Sequence, residues 1–338
     1  MRVLTFGELL LRLSSQGYNK LFQRDSLDCT FCGGEANVAV SLANFGLESV
    51  FVTKLPNNDV GYAAVRSLNA FKVDTSKICY GEGRMGLYYL EKGASQRPSK
   101  IIYDRERSTI SLASNNDFDW DILLKDVDWF HFTGINPALS QNMFKITVEA
   151  CKAAKKNGVI VSCDLNYRKK LWSTKNAQKA MKVLLKYVDV CIGNEEDAQL
   201  ALGIKIDNDV ENANLNLDGY KTIAETIQKE YGCKYIAFTL RESYSANKNG
   251  WSATLYHNGK TYLSKKYDIQ LVDRVGGGDS FSAGLIYGLI TNMSDQKTIE
   301  FATAASCLKQ TLEGDFNRCS TEEVFALMSG TGNGRVQR

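Results

Sequence analysis

Asp273-Arg274-Val275-Gly276-Gly277-Gly278-Asp279-Ser280-Phe281-Ser282-Ala283-Gly284 is the stretch on which the chain's fold and chemistry turn. A β-like run at 267–272 precedes it, and apolar residues recur at helical spacing behind it, at Phe281, Leu285, Ile286, Leu289 and Ile290. The order is strand, glycine turn, helix N-terminus. Glycines there reach φ > 0 and let backbone N–H groups face a ligand with no side chain between. The first N–H groups of a helix lack intrahelical partners and sit at the positive end of its dipole. Together these features make an anion hole suited to phosphate. Asp279 falls at its rim and has two readings of equal weight. It accepts the proton of a hydroxyl that attacks phosphorus, or it caps the helix after the turn.

Upstream, apolar β-rich runs recur at 3–6, 50–55, 129–133, 159–163, 188–192 and 235–240. Between most of them lie helix-period segments. Ala36, Val40 and Ala43 share one face, as do Val60, Ala63, Ala64 and Leu68. Ile146, Ala150 and Ala153–Ala154 repeat the pattern before Gly158, and Ala180, Val183, Leu184 and Tyr187 repeat it again. This alternation predicts βαβ units, a mainly parallel sheet and helices on both faces, an α/β fold. Ligands of such sheets bind outside the carboxyl ends of the strands. Polar clusters follow three strands at that end: Asp164-Leu165-Asn166-Tyr167-Arg168, Gly193-Asn194-Glu195-Glu196-Asp197 and Thr239-Leu240-Arg241-Glu242-Ser243. A second glycine turn, Gly33-Gly34-Glu35-Ala36-Asn37, feeds another helix. Asn37 there offers a donor and an acceptor to a polyhydroxylated ligand, though a tight loop-to-helix turn explains the segment as well.

Two stretches break the alternation. Residues 9–14 alternate apolar and polar, and 78–112 lack a helix period, with short strands at 86–90 and 100–105 around a turn at 93–98. They predict a small antiparallel β insertion, either a lid near the strand ends or a surface sheet without a role. The insertion, taken as about 9–16 and 78–112, sits on one domain spanning 1–330, with a frayed tail at 331–338.

The 338 residues are 44% hydrophobic and 23% charged, which excludes long disorder. A net charge of +3 from 41 basic and 38 acidic residues leaves no footprint for nucleic acid. No apolar run approaches the ~20 residues of a membrane helix. The opening residues are expected to be no secretory leader, since Glu8 follows the first apolar run at once. Nine cysteines at irregular spacing read as reduced thiols of a cytoplasmic protein. Cys29-Thr30-Phe31-Cys32 lacks a second ligand pair for zinc, with only His131 and His257 as histidines, so both thiols are expected in the core. No Walker A motif occurs. Gly81-Glu82-Gly83-Arg84-Met85-Gly86 matches a dinucleotide fingerprint in letters alone, because β-like residues and not a helix follow it.

The pairing of the Gly33-Gly34-Glu35-Ala36-Asn37 segment with the Asp273–Asp279 segment resembles the two signatures of the ribokinase-like (PfkB) sugar kinases, over nearly the whole chain. Four further stretches are most similar to the 2-keto-3-deoxygluconate kinases within it: Gly86-Leu87-Tyr88-Tyr89, Tyr103-Asp104-Arg105, Asp164-Leu165-Asn166-Tyr167-Arg168 and the glycine motif itself. The resemblance implies a three-layer αβα sandwich with a β lid, and ATP-dependent phosphorylation of 2-keto-3-deoxygluconate to the 6-phospho sugar acid. It implies Asp279 as general base and Gly276, Gly277 and Gly278 as the hole for the transferring phosphoryl. It assigns Gly33, Gly34, Asn37, Tyr88, Tyr103, Arg105, Arg168, Asp279 and Asp315 to the sugar. Asn166, Arg168, Asn194, Thr239, Arg241, Ser243, Gly276 and Gly278 fall to ATP. Asn194 and Asp197 would serve Mg2+, largely through water. A monovalent cation is a further cofactor the resemblance allows, and pairing of two copies through the lid is a further expectation. The sequence departs from the family pattern at Arg274 and Gly277, where Thr and Ala are common, at Asp197 in place of Glu, and at Arg241 in place of Gly.

A keto-sugar acid needs a cation for its carboxylate, and guanidinium pairs carboxylate in two parallel bonds. Arg105 and Arg168 are the candidates. Arg105 is alternatively an exposed lid charge, and Arg168 alternatively an ATP contact. A neutral acceptor, as in fructokinase, ribokinase or a nucleoside kinase, is the other reading on the same fold, and a non-catalytic sensor a third.

Overall fold

Glu48–Val52, Arg2–Phe6, Trp129–Thr133, Ile160–Asp164, Val190–Gly193 and Tyr235–Ser245 lie side by side in the computed structural model, which describes residues 1–204 and 217–330. Each is parallel to the next. Alternate residues face opposite ways, so each strand feeds two cores. Leu4, Phe6, Phe130, Phe132, Val161, Cys163, Ile236 and Phe238 pack into one core with Met143 and Ile146, Met181 and Leu184, Ala198, and Ile223 and Ile227. These partners belong to the helices Gln141–Lys156, Thr174–Leu184, Glu195–Leu202 and Leu217–Tyr231. Val3, Trp129, Val190, Ile192 and Ala237 face the other core, beside Val38, Phe281, Phe301 and Val324. Those come from Gly34–Asn44, Gly277–Ile290, Asp295–Lys309 and Thr321–Met328. The result is the helix–sheet–helix sandwich expected from the alternation. Among the described residues no helix is long and apolar enough to cross a membrane.

The strand order reverses where the chain, having gone from Arg2–Phe6 to Glu48–Val52 on one side, returns to Trp129–Thr133 on the other. A crevice opens at such a point, outside the carboxyl ends. Beyond Tyr235–Ser245 the sheet continues antiparallel through Lys248–His257, which pairs with both Lys260–Leu263 and Tyr267–Gln270. This extension was not expected from the sequence, although the run at 267–272 was.

The insertion expected as a lid or a surface sheet forms a small separate sheet of four strands, called the lid below for its place over the strand ends, in the order Asp28–Cys32, Leu10–Ser14, Gly86–Glu91, Lys100–Asp104. Three expectations need correction here. Asp28–Cys32 joins the lid, so Cys29 is exposed on an edge strand rather than in the core, while Cys32 is buried. The central pair, Leu10–Ser14 with Gly86–Glu91, is parallel and not antiparallel. Its two strands are separated in the chain by body elements, long enough for a parallel crossover. Residues 78–112 are only partly lid. Cys79–Gly81 pairs with Lys54–Pro56 in a separate two-stranded sheet, and Ile110–Leu112 forms a 3-10 turn. The tail at 331–338 lies outside the described residues.

Candidate active site

A cavity of about 640 Å³ lies at the carboxyl ends of the strands, a size typical of small-molecule sites. Tyr88, Ile101, Tyr103 and Arg105 of the lid line one side, and the glycine turn Gly276–Gly277–Gly278 lines the other. Gly276 adopts φ +76°, and a Cβ on it would lie 2.1 Å from the Asp315 carbonyl oxygen. Any other residue is strained and obstructed there. A Cβ on Gly278 would meet nothing within 4 Å. The helix Gly277–Ile290 is capped by Gly276, with no side-chain cap bond. Asp279 is therefore the third helical residue, and the capping reading of its carboxylate falls. Its Oδ2 accepts from Asn37 Nδ2 at 2.6 Å. Burial raises the Asp279 pKa to about 6; the Asn37 bond works against this, as do the charges of Arg168 and Lys309.

Asn37 reaches Asp279 because the Gly34–Asn44 helix starts hard against the loop after the first strand. A Cβ on Gly33 would stand 2.1 Å from the Glu8 carbonyl oxygen, and one on Gly34 would stand 3.6 Å from Asp279 Oδ1. Asn37 Oδ1 accepts from Gly33 N–H at 3.2 Å, which fixes the amide's orientation. Glu35 ties this helix to the sheet, accepting from Thr133 N–H at 2.9 Å and Thr133 Oγ1 at 2.7 Å.

On the lid side, Tyr88 Oη donates to Asp315 at 2.8 and 2.9 Å. Arg12, which the sequence reading passed over, donates to Asp315 Oδ1 at 2.8 Å and to Asp273 Oδ2 at 2.6 Å. All three side chains are buried, so one guanidinium clamps the lid to the glycine turn and to the late Asp315 loop. The Tyr103 ring is tilted against that of Tyr88 with centroids 5.8 Å apart, and the Arg105 guanidinium lies 5.4 Å over the Tyr103 ring. Arg105 is not an exposed lid charge. It is buried, and its Nε donates to Glu8 Oε2 at 2.7 Å while its Nη2 bonds the same oxygen. Among the described residues Nη1 has no partner.

At the strand ends, Asn166 adopts φ +38°, and its buried Oδ1 has no partner among the described residues. Burial holds the neighbouring Asp164 carboxyl far above the ordinary range, with the nearby Asp197 adding to the effect. Asn194 and Asp197 form a reciprocal helix cap: Asn194 Oδ1 accepts from Asp197 N–H at 2.8 Å, and Asp197 Oδ2 from Asn194 N–H at 3.2 Å. Asp197 Oδ1 accepts from Tyr167 N–H at 2.8 Å. Both Asp197 oxygens are thus committed to backbone. Glu195 accepts from Tyr220 Oη at 3.1 Å. Glu196 alone of the three acids is exposed, and it lines the cavity. No group of three or more His, Cys, Asp or Glu side chains is arranged to hold a metal among the described residues. The orphaned Asn166 Oδ1, Glu196 and Asp164 are hard oxygen donors on the cavity wall. They fit a magnesium ion that keeps most of its water.

Arg168, Arg241 and Arg274 also line the cavity. The Arg241 guanidinium sits 5.4 Å over the Trp251 ring. Although solvent reaches it, surrounding protein lowers its pKa to about 10, with the Arg274 charge contributing. Arg168 is exposed and has no ion pair among the described residues. Thr239 lies on the same wall, but Ser243 does not line the cavity. The strand runs past the sheet end there, and Ser243 pairs with Asn249 instead. Every other candidate from the sequence lines this one cavity.

The description "pfkB family carbohydrate kinase" belongs to the family whose model matches residues 2–321. The chain is similar to a 2-dehydro-3-deoxygluconokinase from Thermotoga maritima whose structure is solved. Identity is 50% with a TM-score of 0.95, over 98% of this chain and 100% of that one. It is 29% identical over 336 residues to the 2-dehydro-3-deoxygalactonokinase of Haloferax volcanii, covering 99% of each chain. To the 2-dehydro-3-deoxygluconokinase of Bacillus subtilis it is 25% identical, over 95% of this chain and 93% of that one.

Proposed function

This chain belongs to the pfkB family of carbohydrate kinases, and on that premise we propose that it transfers the γ-phosphoryl group of ATP to 2-keto-3-deoxygluconate, giving the 6-phospho sugar acid. The observation that carries the reading is the pairing of Asp279 with the helix N-terminus beside it, which has no side-chain cap among the described residues, in a cavity with a cationic wall and a lid. Asp279, ionised above about pH 6, takes the proton of the attacking hydroxyl, a step worth roughly 10²–10⁴-fold. The N–H groups at 276–279 stabilise charge on the transferring phosphoryl, each such donor being worth about 3–4 kcal/mol. Asn37 holds Asp279 in place and pairs a sugar hydroxyl.

Arg168 and the free Nη1 edge of Arg105 bracket the substrate carboxylate, with Glu8 fixing the other edge of Arg105. Tyr88, Tyr103 and Asp315 complete the sugar side. ATP lies along Asn166, Asn194, Thr239 and Arg241. Asp164, Asn166 and Glu196 would hold magnesium, which when bound neutralises phosphate charge. Lid closure excludes water before transfer. Body and lid act as one domain, and the exposed lid edge Asp28–Cys32 supports pairing of two copies there.

The likeness to a 2-dehydro-3-deoxygalactonokinase supports the C4 epimer as a second acceptor. Asp279→Asn tests the mechanism. Turnover should fall at least about 10³-fold while calorimetry still detects ATP binding. Turnover within tenfold of the parent would remove Asp279 as base.

A further inference from the structure

Lys309 is the last residue of Asp295–Lys309, and its side chain is fully buried. A lysine at a helix C-terminus ordinarily reaches solvent while it complements the dipole. This one turns inward behind the glycine motif. Its ammonium donates to the Asp273 carbonyl at 3.2 Å and also to the Val275 carbonyl. One turn earlier, Ser306 Oγ donates to the Gly277 carbonyl at 2.7 Å. The Gln310 carbonyl accepts from the N–H groups of Val272 at 3.0 Å and Asp273 at 3.3 Å. One helix end therefore grips the back of the whole turn.

In a trans peptide the carbonyl and the N–H point opposite ways, and the described chain contains no cis bond. Drawing the Val275 carbonyl toward Lys309 sends the Gly276 N–H the other way. Drawing the Gly277 carbonyl toward Ser306 does the same for Gly278 N–H. A buried ammonium is costly unless it is satisfied. Burial lowers the Lys309 pKa, while Asp273, Asp315 and Asp279 oppose that and Arg12 adds to it.

We propose that Lys309, assisted by Ser306, is a positioning residue: a fixed cation that locks the glycine turn with its N–H groups toward the transferred phosphoryl, so that turnover needs no dissociable monovalent cation. The proposal rests on the phosphoryl-transfer reading of the turn above. The Asp273 and Val275 carbonyls behind this turn, oxygen ligands of the kind a monovalent cation takes, already accept from the ammonium.

The experiment measures kcat and the KM for ATP in potassium, ammonium and choline chloride, for the parent, Lys309→Met, Lys309→Ala, Ser306→Ala and Asp279→Asn. The parent should change less than about twofold between salts. Lys309→Met should lose about 10²-fold in kcat, the scale of a misaligned oxyanion donor, with the KM for ATP nearly unmoved. Ammonium or potassium, but not choline, should restore part of the loss in Lys309→Ala, which a purely structural role does not predict. A Lys309→Met kcat within threefold of the parent overturns the proposal, and so does a parent that stops in choline. Should circular dichroism show the Lys309 variants unfolded, Ser306→Ala and the parent's salt series decide. Ser306→Ala is expected about tenfold slower, and unchanged turnover in it counts against the lock. Asp279→Asn separates the two readings. Full activity in it removes the base assignment, whereas its loss beside an unaffected Lys309→Met removes only the lock.

Discussion

Removing Asn37 should shift the pH at which Asp279 becomes a base. The Asn37 amide donates to Asp279 at 2.6 Å and favours the carboxylate. A hydrogen bond to a charged group is worth about 1.5–3 kcal/mol, and one pKa unit corresponds to about 1.4 kcal/mol. Asn37→Ala should therefore lift the Asp279 pKa from about 6 by about one to two units. Take a rise to about 7.5. The ionised fraction at pH 6.5 then falls from roughly three-quarters to roughly one-tenth, while at pH 9 both enzymes are almost fully ionised. The variant's loss in kcat/KM for the sugar acid should thus be about eightfold greater at pH 6.5 than at pH 9. The loss remaining at pH 9 measures the sugar contact proposed for Asn37. Burial also raises the pKa of Asp197 to about 6 and that of Glu35 to about 7. Neither bonds Asn37; the Asp279 charge is one of the causes that raise Glu35, so a later ionisation of Asp279 in the variant eases Glu35 and leaves the direction of the shift unchanged. The assay is kcat/KM from pH 5.5 to 9 at saturating Mg-ATP. A loss equal at every pH, or an acid limb that moves down, refutes the reasoning.

Three further expectations follow from the same geometry. Asp279 has a folded pKa raised to about 6 from 3.8, so its ionised form destabilises the fold increasingly as pH rises from about 4 to 6, then constantly. Asp279→Asn should accordingly add about 1–3 kcal/mol to urea stability at pH 7.5, a gain that disappears toward pH 4; no gain at pH 7.5 speaks against the burial argument. Arg168→Ala should raise the KM for the sugar acid about 10- to 100-fold, and a larger rise in the KM for ATP instead would assign Arg168 to the nucleotide. Arg12→Met strands the buried Asp273 and Asp315 carboxylates, and urea unfolding should show about 3–5 kcal/mol of lost stability; an unchanged midpoint contradicts the clamp.

The parallel body was legible because strands buried on both faces read as apolar runs, and helices between them keep a 3.6 period. The run at 129–133 matches the observed strand, and those at 159–163 and 188–192 are offset by one or two residues. The antiparallel extension carried a signal that was overlooked. Asn258-Gly259 joins Lys248–His257 to Lys260–Leu263, and both turn residues adopt positive φ, 50° and 77°, as a two-residue hairpin turn requires. The parallel pairing inside the lid had no such signal, since pairing direction across a long connection is a tertiary outcome.

At the site, glycines and strand-end polar residues were readable because their backbone demands are local. Buried charges were not. In Leu10–Ser14 the buried positions are Leu10, Arg12 and Ser14, so the polar residues face inward, the reverse of the usual strand pattern. Lys309 looks like an ordinary C-terminal lysine until the glycine turn is folded against it. Glu8 and Glu35 follow the same rule: each acquires meaning only from a partner roughly a hundred residues away, Arg105 and Thr133 respectively.

An ADP-release assay with Mg-ATP and the purified protein, run in parallel on 2-keto-3-deoxygluconate, its C4 epimer, fructose, ribose and adenosine, addresses the acceptor and the chemistry together. The cationic wall and the Asp279 site predict turnover with the keto-sugar acids at a kcat/KM at least about 10²-fold above any neutral acceptor, the margin expected for a charge-assisted bidentate contact. Efficient turnover of fructose, ribose or adenosine, with none on the sugar acids, would leave the kinase fold standing and remove Arg105 and Arg168 as carboxylate partners.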